Sequence, residues 1–235
     1  MSLKYKRVLV KLSGEALAGN GKSGFDDEIV ESICKSLKEC VDLGLQLGIV
    51  VGGGNFWRGR ASGDMDRTHA DHMGMLATVM NSIYIADTLN RMGCKAKVQT
   101  AINMSPIAEM FNKDKAIEEL EAGKVVVFGC GSGNPYFSTD TAAALRGIEI
   151  GADVILKATM VDGVYDCDPH KNPNAVKYNT LTYKEILQKE LCVMDMSAAA
   201  LCSDNDMPLI VFNLENPNNI VKVVCGDNIG TVINK

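Results

Sequence analysis

The chain has eight cysteines in 235 residues, yet no C-x-x-C pair. That absence argues against a structural zinc site and against a thioredoxin-type redox motif. Cysteines scattered among apolar neighbours read instead as small core residues in a reducing compartment. No apolar run reaches membrane-spanning length, and the N-terminus carries no apolar signal stretch. A cytoplasmic protein with no membrane partner is therefore the expectation. No basic stripe is present and the net charge is −5, so a nucleic-acid surface is not expected either. Internal repeats, low-complexity tracts and obvious linkers are also lacking. What remains, with 46% hydrophobic and 23% charged residues, is an ordinary globule with one substantial core. A single unit over 1–235 is expected.

Two common phosphate motifs fail as well. Gly21-Lys22-Ser23 suggests a P-loop, but the glycine required five positions earlier is Ala16. Gly129-Cys130-Gly131-Ser132-Gly133 approaches the dinucleotide fingerprint, but position 134 is Asn. His69 and His72 are three apart, with no third ligand to complete a metal site, and read as structural or surface residues.

The chain does show a regular alternation of strand and helix patterns. Short β-branched runs are expected to form strands over 7–12, 46–51, 95–98, 124–128, 153–156, 209–212 and 231–233. Helical spacing is expected over 26–43, 68–92, 113–122, 138–150, 182–189, 196–204 and 218–224, with Gly44 and Gly123 as stops. The polar stretch 165–179, with two prolines, reads as a surface loop. This order predicts an α/β fold, a three-layer α/β/α sandwich around a mostly parallel sheet. Ligands of such sheets lie beyond the C-terminal ends of the strands.

Three glycine-bearing loops fall at those ends: Ser13-Gly14 after Lys11-Leu12, Gly52-Gly53-Gly54-Asn55, and the segment Gly131-Ser132-Gly133-Asn134-Pro135-Tyr136-Phe137-Ser138-Thr139-Asp140. Loops with so little side-chain bulk let backbone N–H groups close around anions, and a following helix start adds its positive end. Three of them suggest more than one phosphate. A phosphate-rich ligand gains nothing from a net charge of −5, so local Lys, Arg and a divalent cation must supply the attraction. Lys11 and Arg58 are the expected cations. Tyr165 offers a ring for a base, and Asp168 an acceptor for a ribose hydroxyl.

Taken together, these stretches resemble the bacterial UMP kinases (uridylate kinases) of the amino-acid-kinase fold. The matching residues are Lys11 to Leu17, Gly52 to Asn55 with Arg58-Gly59, Asp71-His72-Met73-Gly74-Met75, and Gly133 to Asp140 with Ala142-Ala143. They continue through Ala158-Thr159, Val161 to Tyr165, Asp168-Pro169, Val193-Met194-Asp195 and Val211-Phe212-Asn213. They run over nearly the whole chain. The resemblance implies ATP + UMP giving ADP + UDP in pyrimidine nucleotide (CTP) biosynthesis, with Mg²⁺. It also implies a homohexamer, GTP activation and UTP inhibition.

By that resemblance Lys11, Leu12, Ser13, Gly14, Gly54, Arg58, Thr159, Tyr165 and Asp168 would hold ATP. Gly53, Asp71, Ser132, Gly133, Asn134, Pro135, Tyr136, Phe137, Ser138 and Thr139 would hold UMP, so the N-terminal part carries mainly the acceptor and the C-terminal part mainly ATP. Gly19, Asn20, Gly21, Lys22, Ser23 and Gly24 would lie near GTP. Lys11 and Arg58 would stabilise the transferring phosphoryl group, with Asp140 and Asp195 orienting Lys11 or the metal shell. Asp71 is expected at the ribose hydroxyls. Met160 stands where many relatives carry Lys. Two other readings stay open: a same-fold glutamate, aspartate or carbamate-type kinase, and a non-catalytic nucleotide-binding or storage protein.

Overall fold

The computed structural model describes every residue except 1, 22, 59–62, 170 and 192. Among the described residues, nine strands form one sheet in the order β4-β3-β5-β2-β1-β6-β10-β11-β9. These are β1 (Arg7–Leu12), β2 (Gln46–Val51), β3 (Ala96–Thr100), β4 (Glu109–Met110), β5 (Val125–Gly129), β6 (Val154–Thr159), β9 (Thr180–Thr182), β10 (Leu209–Asn213) and β11 (Thr231–Asn234). All neighbours run parallel except β10 and β11. A small antiparallel hairpin joins β7 (Val164–Tyr165) to β8 (Lys177–Tyr178) inside the stretch expected to be loop.

The central strands are apolar on both faces because helices cover both faces. On one face Val8, Val10 and Leu12 of β1 pack with α2 (Asp27–Asp42), α3 (Arg67–Arg91) and α8 (Asn219–Val224). On the other, Leu9 and Ile155 pack with α4 (Lys113–Glu121), α5 (Thr139–Glu149), α6 (Tyr183–Gln188) and α7 (Met196–Asp204). This is the three-layer arrangement expected. Local chemistry sets the helix ends. Asp26, Asp66, Asn112, Ser138, Thr182 and Asp195 each accept a backbone N–H at a helix start. Gly44 follows α2 with φ +97, which only glycine adopts freely.

The expected elements fall within a few residues of those observed. One-turn α1 (Gly14–Leu17) and the two-residue β4, β7 and β8 are too short to leave a periodicity in sequence. Cys34, Cys40, Cys94, Cys130 and Cys202 are buried, and burial pushes the Cys34 and Cys40 thiols up to about 12. They are core residues and not nucleophiles.

Candidate active site

The chain passes from β1 to β2 on one side of the sheet centre, and β6 later fills the other side. Such a reversal opens a crevice beyond the strand ends. Here the loops after β1, β2 and β5 line a cavity of about 370 Å³ with Lys11, Ser13, Gly14, Gly52 to Gly54 and Ser132 on its walls. Ser138 and Thr139, at the start of α5, and Asp71, Gly74, Met75 and Thr78 of α3 complete it.

Strand register decides the charge at its base. Lys11 of β1 pairs with Lys157 of β6, so both ammonium groups leave the same face of the sheet. Asp140, in the first turn of α5, sits above them. Lys11 Nζ stands 3.0 Å from Asp140 Oδ1, an ion pair without a directed hydrogen bond. Lys157 Nζ donates to Asp140 Oδ2. The three side chains are only 10–14% exposed. Burial works against ionising Asp140, and Lys11 and Lys157 overcome it, holding its carboxyl below the usual range. Burial also pulls the Lys157 ammonium below the usual lysine range, with Asp140 opposing. Two cations around one carboxylate leave an excess positive charge at the cavity floor. An anion completes that balance.

The first two glycine loops touch, and the second also meets α3. A Cβ on Gly14 would lie 2.5 Å from Gly52 O and 2.8 Å from Gly54 N. A Cβ on Gly53 would lie 2.9 Å from both Ala77 Cβ and Gly74 O of α3. Asn81, fully buried on α3, fixes the second loop by donating to Gly52 O at 2.6 Å and Asn55 Oδ1 at 2.7 Å. Thr78 does the same for the third, accepting from Cys130 N at 2.9 Å. Gly14→Ala should therefore push two loops apart. The expected cost is about 1–3 kcal/mol of stability and roughly tenfold or more in kcat/KM from misplacement. Thermal melts and initial rates check both.

A second cavity of about 300 Å³ lies beyond β6 and the β7–β8 hairpin. Val161, Val164, Leu191, Val193 and Val211 give it apolar walls, and Thr159, Tyr165 and Asp168 add polar groups. A slot of that composition suits a flat base with a sugar at its mouth.

The sequence-predicted residues divide between these places. Lys11, Ser13, Gly14, Gly53, Gly54, Arg58, Asp71, Ser132, Asn134, Phe137, Ser138 and Thr139 line the first cavity. Residues assigned by resemblance to ATP phosphates and to UMP therefore share one chamber. Thr159, Tyr165 and Asp168 line the second. Gly133, Pro135 and Tyr136 line neither; Tyr136 is 63% exposed with φ +72.

The Leu12 side chain is fully buried in the core and its carbonyl accepts from Gly52 N, so neither of these is open to a ligand. Asp195 does not pair with Lys11. Among the described residues its carboxylate accepts from Ser138, Thr141 and Ala198 N, tying α5 to α7, and Lys11 takes Asp140 instead. Arg58 is engaged by Glu15. Gly19, Asn20, Gly21, Ser23 and Gly24 lie outside both cavities, and Lys22 lies outside the described residues.

Sequence reasoning missed Lys157 and Arg67. Lys157 carried a signal, a lysine ending the apolar run Val154-Ile155-Leu156 as Lys11 ends Val8-Leu9-Val10.

Comparison with known proteins bears on this geometry. A profile of the Amino acid kinase family matches residues 6–213. The crystal structure of UMP kinase from Bacillus anthracis is similar at 37% identity, covering 98% of this chain and 96% of that one, with TM-score 0.95. UMP kinase from Ureaplasma parvum is 36% identical, over 99% and 100% of the two chains, with TM-score 0.93. Uridylate kinase from Archaeoglobus fulgidus is 28% identical over 96% and 99%, with TM-score 0.74.

Proposed function

We infer the activity from the premise that this chain belongs to the amino acid kinase family. The protein is a UMP kinase: it transfers the terminal phosphoryl group of ATP to UMP, giving ADP and UDP. The observation that carries this reading in the molecule itself is the Lys11–Asp140–Lys157 cluster below three glycine loops, the first two in contact. In-line transfer between two polyanions needs positioning and neutralisation more than covalent chemistry. An excess buried cation with preorganised N–H donors provides both.

Lys11 faces the transferring phosphoryl group, and Asp140 holds it there with Lys157 behind. Ser13, Gly14, Gly53, Gly54 and the N-terminus of α5 supply donors to the flanking phosphates. Arg58 leaves Glu15 to join them. No general base is needed, because the acceptor is already an anionic phosphate. The second cavity takes the adenosine of ATP, with Thr159, Tyr165 and Asp168 at its edges. Asp71, Ser132, Asn134, Phe137, Ser138 and Thr139 enclose UMP, with Asp71 at the ribose hydroxyls.

No cluster of three metal-ligating side chains occurs among the described residues. Mg²⁺ is proposed to enter with ATP, since this ion usually keeps waters and phosphate oxygens in preference to a protein cage. When bound, it would neutralise phosphate charge beside Lys11 and the glycine loops.

Self-association, up to the proposed homohexamer, is supported by an exposed apolar stripe on α3, namely Met73, Leu76, Met80 and Ile83. A GTP effect is supported by the bonds between Gly24 and Asn55, which join the 19–24 loop to the phosphate loop at 2.9 and 3.1 Å. UTP feedback, a cytoplasmic setting and a place in pyrimidine nucleotide synthesis complete the proposal. No described helix is long and apolar enough to cross a membrane.

ADP release with Mg-ATP tests the reading, offering UMP, dUMP, CMP, glutamate and aspartate separately. Turnover confined to UMP is expected. Turnover with an amino acid would make the chain an acid kinase. Stoichiometric capture of ATP and UMP without ADP release would make it a binding protein.

A further inference from the structure

Arg67 is the first residue of α3, and Asp71 follows one helical turn later on the same face. Arg67 Nε donates to Asp71 Oδ2 at 2.8 Å. The backbone N–H of Tyr136 donates to that same oxygen, also at 2.8 Å. The Arg67 guanidinium carbon lies 5.3 Å from the centre of the Tyr136 ring. Arginine, carboxylate and loop therefore close a small ring of contacts, and the Asp71 side chain is only 13% exposed within it.

An exposed Arg–Asp pair one turn apart on a helix is usually of little consequence. Three features set this one apart. Both donors converge on Oδ2, so Oδ1 takes no hydrogen bond from any described residue. Both side chains line the first cavity. The Tyr136 N–H reaches Oδ2 from a loop held in the left-handed region at φ +72, where a bulky side chain rarely sits. The arginine fork adds a donor of fixed direction, which a lysine cannot reproduce.

We propose that Arg67 is a positioning residue that locks one oxygen of Asp71, aims the other at the acceptor's sugar hydroxyls, and so sets the preference for ribo- over deoxynucleotides. The proposal rests on the UMP kinase reading and deepens it. Arg67 acts through Asp71, and Tyr136 reaches Asp71 through its backbone N–H. The ring of Tyr136, 5.3 Å from the guanidinium carbon, helps to keep the fork in place.

Steady-state kinetics of Arg67→Ala, Arg67→Lys, Asp71→Asn and the Arg67→Ala/Asp71→Asn double variant test this. Wild-type turnover of UMP is measured first. Arg67→Ala should raise KM for UMP about tenfold, the scale of losing one hydrogen bond to a charged group. It should lower the UMP to dUMP ratio of kcat/KM by a similar factor and leave KM for ATP unchanged. Arg67→Lys should not restore the ratio. In the Asp71→Asn background the arginine substitution should change the ratio no further. If Arg67→Ala folds poorly, Arg67→Gln gives the same readouts. An unchanged UMP to dUMP ratio, or equal losses for UMP and ATP, overturns the proposal and makes Arg67 an ordinary helix-surface partner. Wild-type protein that turns over no UMP overturns the functional reading, and this one with it.

Discussion

Lys11→Ala should lower kcat by about 10²-fold or more, the scale of losing one preorganised charge donor. The fold should survive, because Asp140 keeps Lys157 as its partner. A melting temperature near wild type with collapsed turnover is therefore the expected pair of results. A variant that retains near-wild-type kcat would remove Lys11 from the chemistry.

Lys157 separates from Lys11 by position. Lys11 lines the cavity and Lys157 does not, so Lys157→Met should cost less in kcat. Its mark should be on pH dependence. Burial depresses the Lys157 ammonium below its ordinary value of 10.5. Rising pH then strips its proton before that of an ordinary lysine, and Asp140 turns its charge wholly onto Lys11. The wild-type rate should fall on the alkaline side, starting below pH 10.5. Lys157→Arg, which stays protonated, should move that limb upward. An alkaline limb unmoved by Lys157→Arg would assign it to another group.

The layered fold was legible because strand and helix leave different periods in this chain. Val8-Leu9-Val10 and Val125-Val126-Val127 are uninterrupted because helices cover both sides of β1 and β5. The α2 apolar positions recur at helical spacing because only one face is buried. Most of the candidate site was legible for a different reason. Gly14 and Gly53 stand where backbone must approach backbone, and such positions admit no side chain. What stayed hidden depends on long-range pairing. Lys157 meets Lys11 only through β1–β6 register, 146 residues apart in sequence. Asp140 and Asp195 are both carboxylates beside helix starts, and sequence gave them the same role. Packing separates them. One lies over two lysines, while the other is spent on Ser138, Thr141 and the α7 N-terminus. Arg67 has the spacing of an ordinary i, i+4 partner of Asp71, and only the Tyr136 N–H on the same oxygen sets it apart.

The largest stability effect should come from Asp140→Ala. It removes the only carboxylate within ion-pair distance of Lys157 among the described residues, and leaves two largely buried cations facing each other. Breaking a buried pair from one side costs about 3–5 kcal/mol. Turnover should fall with it, since Lys11 loses the partner that aims it. The pH dependence of this cost identifies its cause. In the variant Lys157 has burial and Lys11 against its charge, with only the lesser pull of Asp195 left to oppose them, so its folded-state pKa drops further. Between that depressed value and the unfolded value of about 10.5, the unfolded chain binds more protons than the folded one. Stability of the variant should therefore rise with pH across that window. In the wild type the window is narrower, because Asp140 holds the proton on. Urea melts of both proteins from pH 6 upward measure the difference directly. A stability gap that stays constant with pH would mean that the loss reflects packing around α5, and that the two lysines do not depend on Asp140 for their charge.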